Sequence, residues 1–230
     1  MSGVKRLESA TASRRERAQA TQRRIVEAAY RLFCERGYAA STFKQIAQTA
    51  GVAVQTVYFM FNTKSTLLSR AYDYAVMGHE EPLVPADQRW YRQMVAAADV
   101  VAAIRHLVAG VGEITRRVTP LYLVARATAS GDPEVARVVD FHERWRADGY
   151  REMLEILRAK ASLREGLSPE RANDLLLLYA GMDAYHLLVD VRGWAYDEWV
   201  DWTVSVVADQ VFGRHADASA LQRSPAECAG

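Results

Sequence analysis

The sequence predicts an all-α fold of about nine helices, in which a small N-terminal domain of three helices precedes a larger helical domain. Three observations predict this class. Apolar residues recur at intervals of three and four along most of the chain, which is the period of one helix face. Glycine, proline and capping residues divide these stretches into lengths typical of helices. No run alternates apolar and polar residues as a half-buried strand does.

Composition excludes several classes of protein. Half of the residues are hydrophobic and 25% are charged, which is ordinary for a globular protein. The longest apolar stretch, residues 175–182, is too short for a transmembrane helix, which needs about 20 residues. The first residues contain no apolar core of a secretion signal. Because Cys34 and Cys228 can form neither a disulfide framework nor a four-ligand zinc site, we expect a cytoplasmic protein.

The charge is distributed unevenly along the chain. Residues 1–70 contain 12 Lys and Arg against 4 Asp and Glu, whereas the remainder contains 17 against 24. A basic segment attached to an acidic one predicts a polyanionic partner at one end of the protein. A solubilising charged tail would give the same balance, so charge alone leaves both interpretations open.

The N-terminal segment begins as an arm and continues as a helix. Residues 1–18 carry Ser, Thr, Arg and Ala with almost no apolar periodicity, so we expect a mobile basic arm. From Thr21 a helix face follows, and Gly37 ends it just past the last turn. This face consists of Ile25, Ala28, Ala29, Leu32 and Phe33.

Two short helices follow the first one closely. Thr42 and Gln45 form a capping box that opens a helix over 42–50, and Gly51 ends it. A third helix is predicted over 54–61 after a turn of a few residues. Two short helices joined by a tight turn and braced by a longer one form a helix-turn-helix, although a generic three-helix bundle has similar spacing.

The residues of this segment favour the helix-turn-helix. Its second helix opens with Thr and continues as Ile-Ala…Ala-Gly-Val, and its third reads Thr-Val-Tyr-x-x-Phe-x-x-Lys-x-x-Leu-Leu. Over residues 20–70 the sequence resembles the DNA-binding domain of TetR-family regulators. The resemblance implies a homodimeric transcription regulator, usually a repressor and alternatively an activator, that binds a palindromic operator in double-stranded DNA. It also implies that the larger domain binds a small effector and dimerises.

The side chains themselves suit DNA recognition. Thr42 places a hydroxyl and backbone N–H groups at a positive helix terminus, which suits a phosphate, and Gln55 can read adenine with two hydrogen bonds. The candidate DNA-binding residues are Thr42, Lys44, Gln55, Thr56, Tyr58, Met60 and Lys64. The resemblance implies phosphate contacts for Thr42, Thr56, Tyr58 and Lys64. It implies base contacts for Lys44, Gln55 and Met60. Ala53 and Met60 depart from the family, which often has Ser and His or Tyr there.

Proline and capping residues divide the remainder of the chain. The apolar spacing continues over 64–78, and two prolines in 79–86 predict a loop. An N-cap residue followed by proline opens helices of about 10, 30 and 20 residues at Thr119-Pro120, Asp132-Pro133 and Ser168-Pro169. Asp99 and Asp197 open helices over 100–118 and 198–212. We therefore predict a mobile arm at 1–18, a DNA-binding domain at 19–64, a ligand-binding and dimerisation domain at 65–213 and a disordered tail at 214–230.

The second domain is predicted to hold the effector. Its apolar candidates for lining a pocket are Leu107, Tyr122, Phe141, Trp145, Met153, Tyr179 and Met182, and its polar candidates are Tyr122, Arg126, His142 and Asp183. Because Arg126 and His142 are donors, we expect a largely hydrophobic molecule with a carboxylate, carbonyl or phenol. Alternatively, His142 and His186 are satisfied core groups, and Arg126 forms a salt bridge, for example to Asp183, or binds water.

A dimer is predicted from two C-terminal helices. Residues 175–191 are apolar around almost the whole helix, so two faces must be covered, one of them by a second subunit. The predicted interface residues are Leu188, Val200, Val204, Val207 and Val211. Paired across a two-fold axis, these helices would form a four-helix interface.

The sequence carries no enzyme motif and indicates no cofactor. Nothing in the spacing of His106, His142 and His186 favours a metal site. Cys34 follows an apolar helix position, so a buried, inert thiol is favoured over a redox sensor. An enzyme or ligand carrier with a vestigial DNA-binding module is the rival interpretation.

Overall fold

The computed structural model describes residues 2–78 and 88–214, with side chains from residue 15 onward. Every regular element in these ranges is a helix, which confirms the all-α prediction. The helices are α1 (Ser2–Arg36), α2 (Phe43–Ala50), α3 (Val54–Phe61), α4 (Lys64–Met77), α5 (Arg89–Ala96), α6 (Val100–Ala129), α7 (Pro133–Arg158), α8 (Pro169–Tyr179), α9 (Met182–Tyr185) and α10 (Tyr196–Phe212). A π-helical segment, His186–Val191, continues α9.

Two predicted segments lie outside the described residues: the loop at 79–86, and the tail beyond Arg214, which contains Cys228. In the described ranges, no helix is both long enough and apolar enough to cross a lipid bilayer.

The chain forms two compact units. The first comprises Met1–Ala75 and Pro120–Asp140, and the second comprises Val76–Thr119 and Phe141–Gly230. Most of α4 therefore packs with the first unit, although the sequence predicted a domain boundary after Lys64. The reason is the buried face of α4, which includes Leu67 and Leu68, together with the contact between the Tyr74 ring and Tyr30 of α1 at 5.7 Å.

The first unit is built on α1, α2 and α3. Buried apolar residues of α1 from Ile25 to Phe33 contact the inner face of α2, as their spacing predicted. The predicted capping box of α2 is present, and Gly51 ends the helix in the left-handed conformation that glycine adopts most easily. Residues 2–18, predicted to be an arm, continue α1. Residues 4–36 contain neither Gly nor Pro and are rich in the strong helix formers Ala, Arg, Glu and Gln.

Pro120 lies inside α6 and does not open a new helix, so the predicted start at Thr119-Pro120 is wrong. A proline removes one hydrogen bond from a helix interior. Here the neighbouring Thr119 hydroxyl donates to the carbonyl of Thr115 at 2.7 Å, and the apolar residues on both sides, Val118 and Leu121, are buried. Packing of these flanking residues holds the helix together across the proline.

The helix predicted from Pro169 is interrupted, since α8 ends at Tyr179 and α9 begins only at Met182. The carbonyl of Ala180 accepts hydrogen bonds from the hydroxyls of Tyr150 and Thr115, at 3.1 Å and 3.3 Å. A Cβ atom on Gly181 would lie 2.1 Å from the Leu177 carbonyl oxygen, so the break requires glycine. Side chains of α6 and α7 thus replace a hydrogen bond that a continuous helix would form.

Two further elements differ from the prediction. α5 was not predicted, and only one of its residues, Met94, is buried. α10 begins after Ala195, so Asp197 lies in the first turn of the helix and is not its N-cap. An acidic residue in either position is favourable because the N-terminus of a helix carries partial positive charge.

Candidate functional site

The N-terminus of α2 is held by reciprocal hydrogen bonds. The backbone N–H of Gln45 donates to Thr42 Oγ1 at 3.2 Å, and the N–H of Thr42 donates to Gln45 Oε1 at 2.8 Å. The Thr42 hydroxyl also donates to Gln45 Oε1 at 2.8 Å. The backbone N–H groups of Phe43 and Lys44 take no part in this box, so they are the groups that can bind a phosphate at this terminus. Lys44 and Thr42 are both exposed.

The third helix turns its apolar face inward and leaves its other side open. Val57 and Phe61 are buried, as predicted, and Ala53 provides no side-chain cap. Gln55 and Tyr58 are exposed, and the Tyr58 ring meets the Phe43 ring edge-on at 4.7 Å. Thr56 is half-buried.

Phe59 is the outward-facing residue that the sequence analysis missed. Its side chain is 92% exposed, whereas Met60, which was predicted to approach bases, is half-buried. Spacing was the available signal: Phe59 lies four residues after Gln55 and so shares its face of α3. Residue type gave the opposite signal, because an aromatic residue in an apolar helix is usually a core residue.

Lys64 is held within the first unit. Its ammonium group donates to the carbonyls of Tyr38 and Ala39, at 2.9 Å and 3.4 Å, and lies 4.2 Å from the centre of the Tyr38 ring. Burial lowers the pKa of Lys64, with Asp132 opposing the shift. Burial, helped by nearby acidic residues, raises the pKa of Tyr38 to about 12. Because an ammonium group has three donors, this arrangement leaves one N–H for the predicted phosphate contact.

Positive charge is concentrated on α1. The side chains of Arg15, Arg17, Arg23 and Arg24 are all exposed. Arg17, Arg24 and Arg31 follow one another at intervals of seven residues, so they share one side of the helix. This charge complements the phosphate backbone of a nucleic acid.

The predicted effector residues divide between the interior and the surface. In the second unit, Leu107, His142, Met153 and Met182 are buried, Tyr179 is half-buried, and Phe141, Trp145 and Asp183 are exposed. His142 is 7% exposed, which fits the alternative of a core histidine, and its ring meets the exposed Phe141 ring edge-on at 5.2 Å.

Tyr122 and Arg126 of this set belong to the first unit. Tyr122 is buried and Arg126 is exposed. The guanidinium of Arg126 donates from Nη1 to the Tyr122 hydroxyl at 2.8 Å, one helical turn earlier. The two residues therefore form a hydrogen-bonded pair that the sequence analysis did not predict.

The predicted dimer residues of α10 belong to the core of their own chain. Val204, Val207 and Val211 are 0% exposed and Val200 is nearly as buried, so they cannot meet a second subunit. This assignment is corrected: the valine line faces inward. Leu188 is half-buried against the same core. The exposed apolar side chains nearby are Leu178, Leu187 and Val191, at 54%, 50% and 60%.

Neither a metal centre nor a reactive thiol is present in the part of the chain that the structure describes. Its His, Cys, Asp and Glu residues form no group of three or more that could hold a metal ion. Burial raises the pKa of Cys34 to about 11, with a Tyr30 hydrogen bond opposing the shift and Glu35 adding to it. At neutral pH this residue is therefore a thiol, which is the unreactive form.

Comparison with known proteins assigns the N-terminal region. The family model for bacterial regulatory proteins of the tetR family matches residues 25–71. The HTH-type transcriptional regulator TtgR of Pseudomonas putida is 42% identical over 59 residues, which cover 26% of this chain. The aligned segment spans only 28% of TtgR.

Solved structures share the fold over most of the chain. NalD of Pseudomonas aeruginosa, the secondary repressor of a multidrug efflux pump, has a TM-score of 0.63 and 19% identity, covering 85% of this chain and 98% of its own. FadR of Bacillus subtilis, solved with stearoyl-CoA, has a TM-score of 0.63 and 16% identity, covering 81% and 97%. Residues 25–71 are therefore similar in sequence to the N-terminal domain of tetR-family bacterial regulatory proteins, and the all-helical fold is shared with these solved structures.

Proposed function

We propose that the protein is a sequence-specific DNA-binding transcriptional regulator, and that it is a repressor released from its operator by a small effector. The observation that carries this proposal is the open face of α3. Gln55, Tyr58 and Phe59 are exposed there, next to the capped N-terminus of α2. A helix exposed in this way enters the major groove, while the helix before it crosses the backbone. The exposed arginines of α1 add attraction to phosphates, and we place the protein in the cytoplasm with its DNA.

The DNA-bound form is proposed to be a homodimer. Leu178 of α8 and Leu187 and Val191 of the π-helical segment are exposed apolar residues, and we propose that together they form a surface, which we call the α8–α9 patch. Three half-buried aromatic residues pack together in the same unit, since the Trp202 ring lies 6.0 Å from Tyr179 and 5.9 Å from Trp194. A second copy is the occupant that fits, because a regulator that reads a palindrome has two-fold symmetry itself.

The DNA proposal is tested by selecting an operator from random duplexes and measuring affinity across sequences and salt concentrations. Gln55→Ala should relax the preference at one position of each half-site, at a cost of about 1–3 kcal/mol, because a bidentate contact to adenine is lost. Lys44→Ala is the comparison because it removes a charge from α2. Besides weakening binding, it should lower the salt dependence of the affinity. An equal loss on all sequences for Gln55→Ala would refute its role as a base reader. A wild type that binds no duplex would favour the enzyme or carrier interpretation.

The effector is proposed to be largely hydrophobic with a carboxylate, carbonyl or phenol. The stearoyl-CoA bound to FadR of Bacillus subtilis supports an apolar chain as one such ligand. Among the donors predicted from the sequence, we propose Arg126 of the first unit for this contact. In this protein Arg126 is already held by Tyr122, so its geometry is fixed before a ligand arrives.

A panel of apolar acids, amines and neutral aromatics tests this polarity by release of operator DNA. We expect the acids to release the wild type best and to lose at least about tenfold in potency on Arg126→Ala, since a charge-assisted hydrogen bond contributes about 1.5–3 kcal/mol. Tyr122→Phe, which removes only the hydroxyl that holds Arg126, is the matched variant. The proposed polarity is wrong if amines release the wild type best and Arg126→Ala responds unchanged. A ligand that is required for DNA binding would contradict release of the protein by an effector.

A further inference from the structure

The third helix exposes one large apolar side chain that is not buried within its own chain. Phe59 is 92% exposed, the highest value among the large hydrophobic residues of the described chain. Its neighbours in α3 are accounted for within the first unit: Val57 and Phe61 are buried, and Tyr58 packs against Phe43. An exposed apolar side chain on a surface otherwise suited to DNA points to a contact made only when DNA is bound.

The chemistry of the side chain restricts what it can contact. Phosphate oxygens are bound by hydrogen-bond donors, and a phenyl ring has none. Among the base edges of the major groove, only thymine carries an apolar group, its C5-methyl, and phenylalanine is one of the residues that pack on it. A ring on the outward face of a groove-binding helix therefore matches a thymine methyl.

The position of Phe59 relative to Gln55 limits where that thymine lies. The two residues are four apart on one face of α3, a rise of about 6 Å along the helix axis. Successive base pairs are about 3.4 Å apart, so this rise spans at most about two steps of the duplex. We propose that Phe59 is a specificity-determining residue that packs on the C5-methyl of a thymine, within about two base pairs of the adenine read by Gln55. The proposal rests on the proposed function.

Deoxyuridine provides the test, because it pairs as thymine does but lacks the methyl group. Each thymine of the selected operator is replaced singly by deoxyuridine, and binding of the wild type, Phe59→Ala and Phe59→Leu is measured. One replacement should weaken the wild type about three- to fivefold, the effect of losing one buried methyl-sized contact. Phe59→Ala should lose a similar factor on the natural operator and be insensitive to that replacement. Phe59→Leu should retain part of the sensitivity.

Controls separate this proposal from folding and from the general function. Because Phe59 is exposed, Phe59→Ala should unfold at the same temperature as the wild type. Val95→Ala, which shortens an exposed apolar residue of α5, should leave operator affinity and sensitivity to deoxyuridine intact. If Phe59→Ala weakens all duplexes alike and no replacement affects the wild type, the ring packs on the sugar-phosphate backbone and the proposal is wrong while the regulator function stands. Unchanged affinity of Phe59→Ala for the operator would also overturn it. If the wild type selects no operator, both proposals fail together.

Discussion

Val204→Arg is expected to prevent stable folding of the second unit. Val204 is 0% exposed on α10, in the same core cluster as Trp199 and Val207. Placing a guanidinium there buries a charge without a partner and overfills a packed core, at a cost of at least about 4 kcal/mol. A whole domain has only about 5–15 kcal/mol of stability. Circular dichroism and thermal unfolding of the purified variant measure this directly.

A matched variant at the same position separates charge burial from loss of packing. Val204→Ala removes two methyl groups and should remain folded, with a loss of about 2 kcal/mol. Because the valine line of α10 faces inward, Val204→Arg should destabilise the protein more than Val204→Ala. If Val204→Arg instead gave a folded chain with normal unfolding and a monomeric state, the valine line would be at the dimer interface, as the sequence analysis first indicated.

Leu187→Arg is expected to give a folded monomer that binds the operator at least about a hundredfold more weakly. Leu187 is 50% exposed in the α8–α9 patch, so arginine is tolerated in the single chain. In a dimer with two-fold symmetry, each introduced arginine would bury a charge in the apolar contact and would lie near the same arginine of the second subunit. In a dimer, binding of one half-site raises the effective concentration of the second DNA-binding domain at the other half-site, and a monomer loses this advantage. Sedimentation and operator binding measure the two effects.

Val95→Arg is the control for this experiment. Val95 is 49% exposed on α5, close to the exposure of Leu187, but lies outside the α8–α9 patch. This variant should remain a dimer and bind the operator normally. A wild type that sediments as a monomer at micromolar concentration, or a Leu187→Arg chain that remains dimeric, contradicts the proposed interface.

Local rules in the sequence determined the elements of the DNA-binding domain. Thr42 and Gln45 specify the start of α2 and Gly51 its end because a capping box and a left-handed glycine act within a few residues. The apolar spacing likewise determined the inward faces of α1, α2 and α3. Gln55 and Tyr58 could be placed on the surface from this period alone. The same period places Phe59 on the exposed face with Gln55, whereas its aromatic residue type suggests a core position.

The tertiary structure decided what depends on neighbouring helices. Proline opens α7 and α8 but lies inside α6, because only the packing of Val118 and Leu121 distinguishes a first turn from an interior turn. The break before α9 depends on Tyr150 and Thr115, which are distant in sequence from Ala180. Val204 shows that the sequence also leaves open which surface covers an apolar helix face. A line of valines specifies an apolar face, but whether its own chain or a second copy covers that face depends on how the other helices pack.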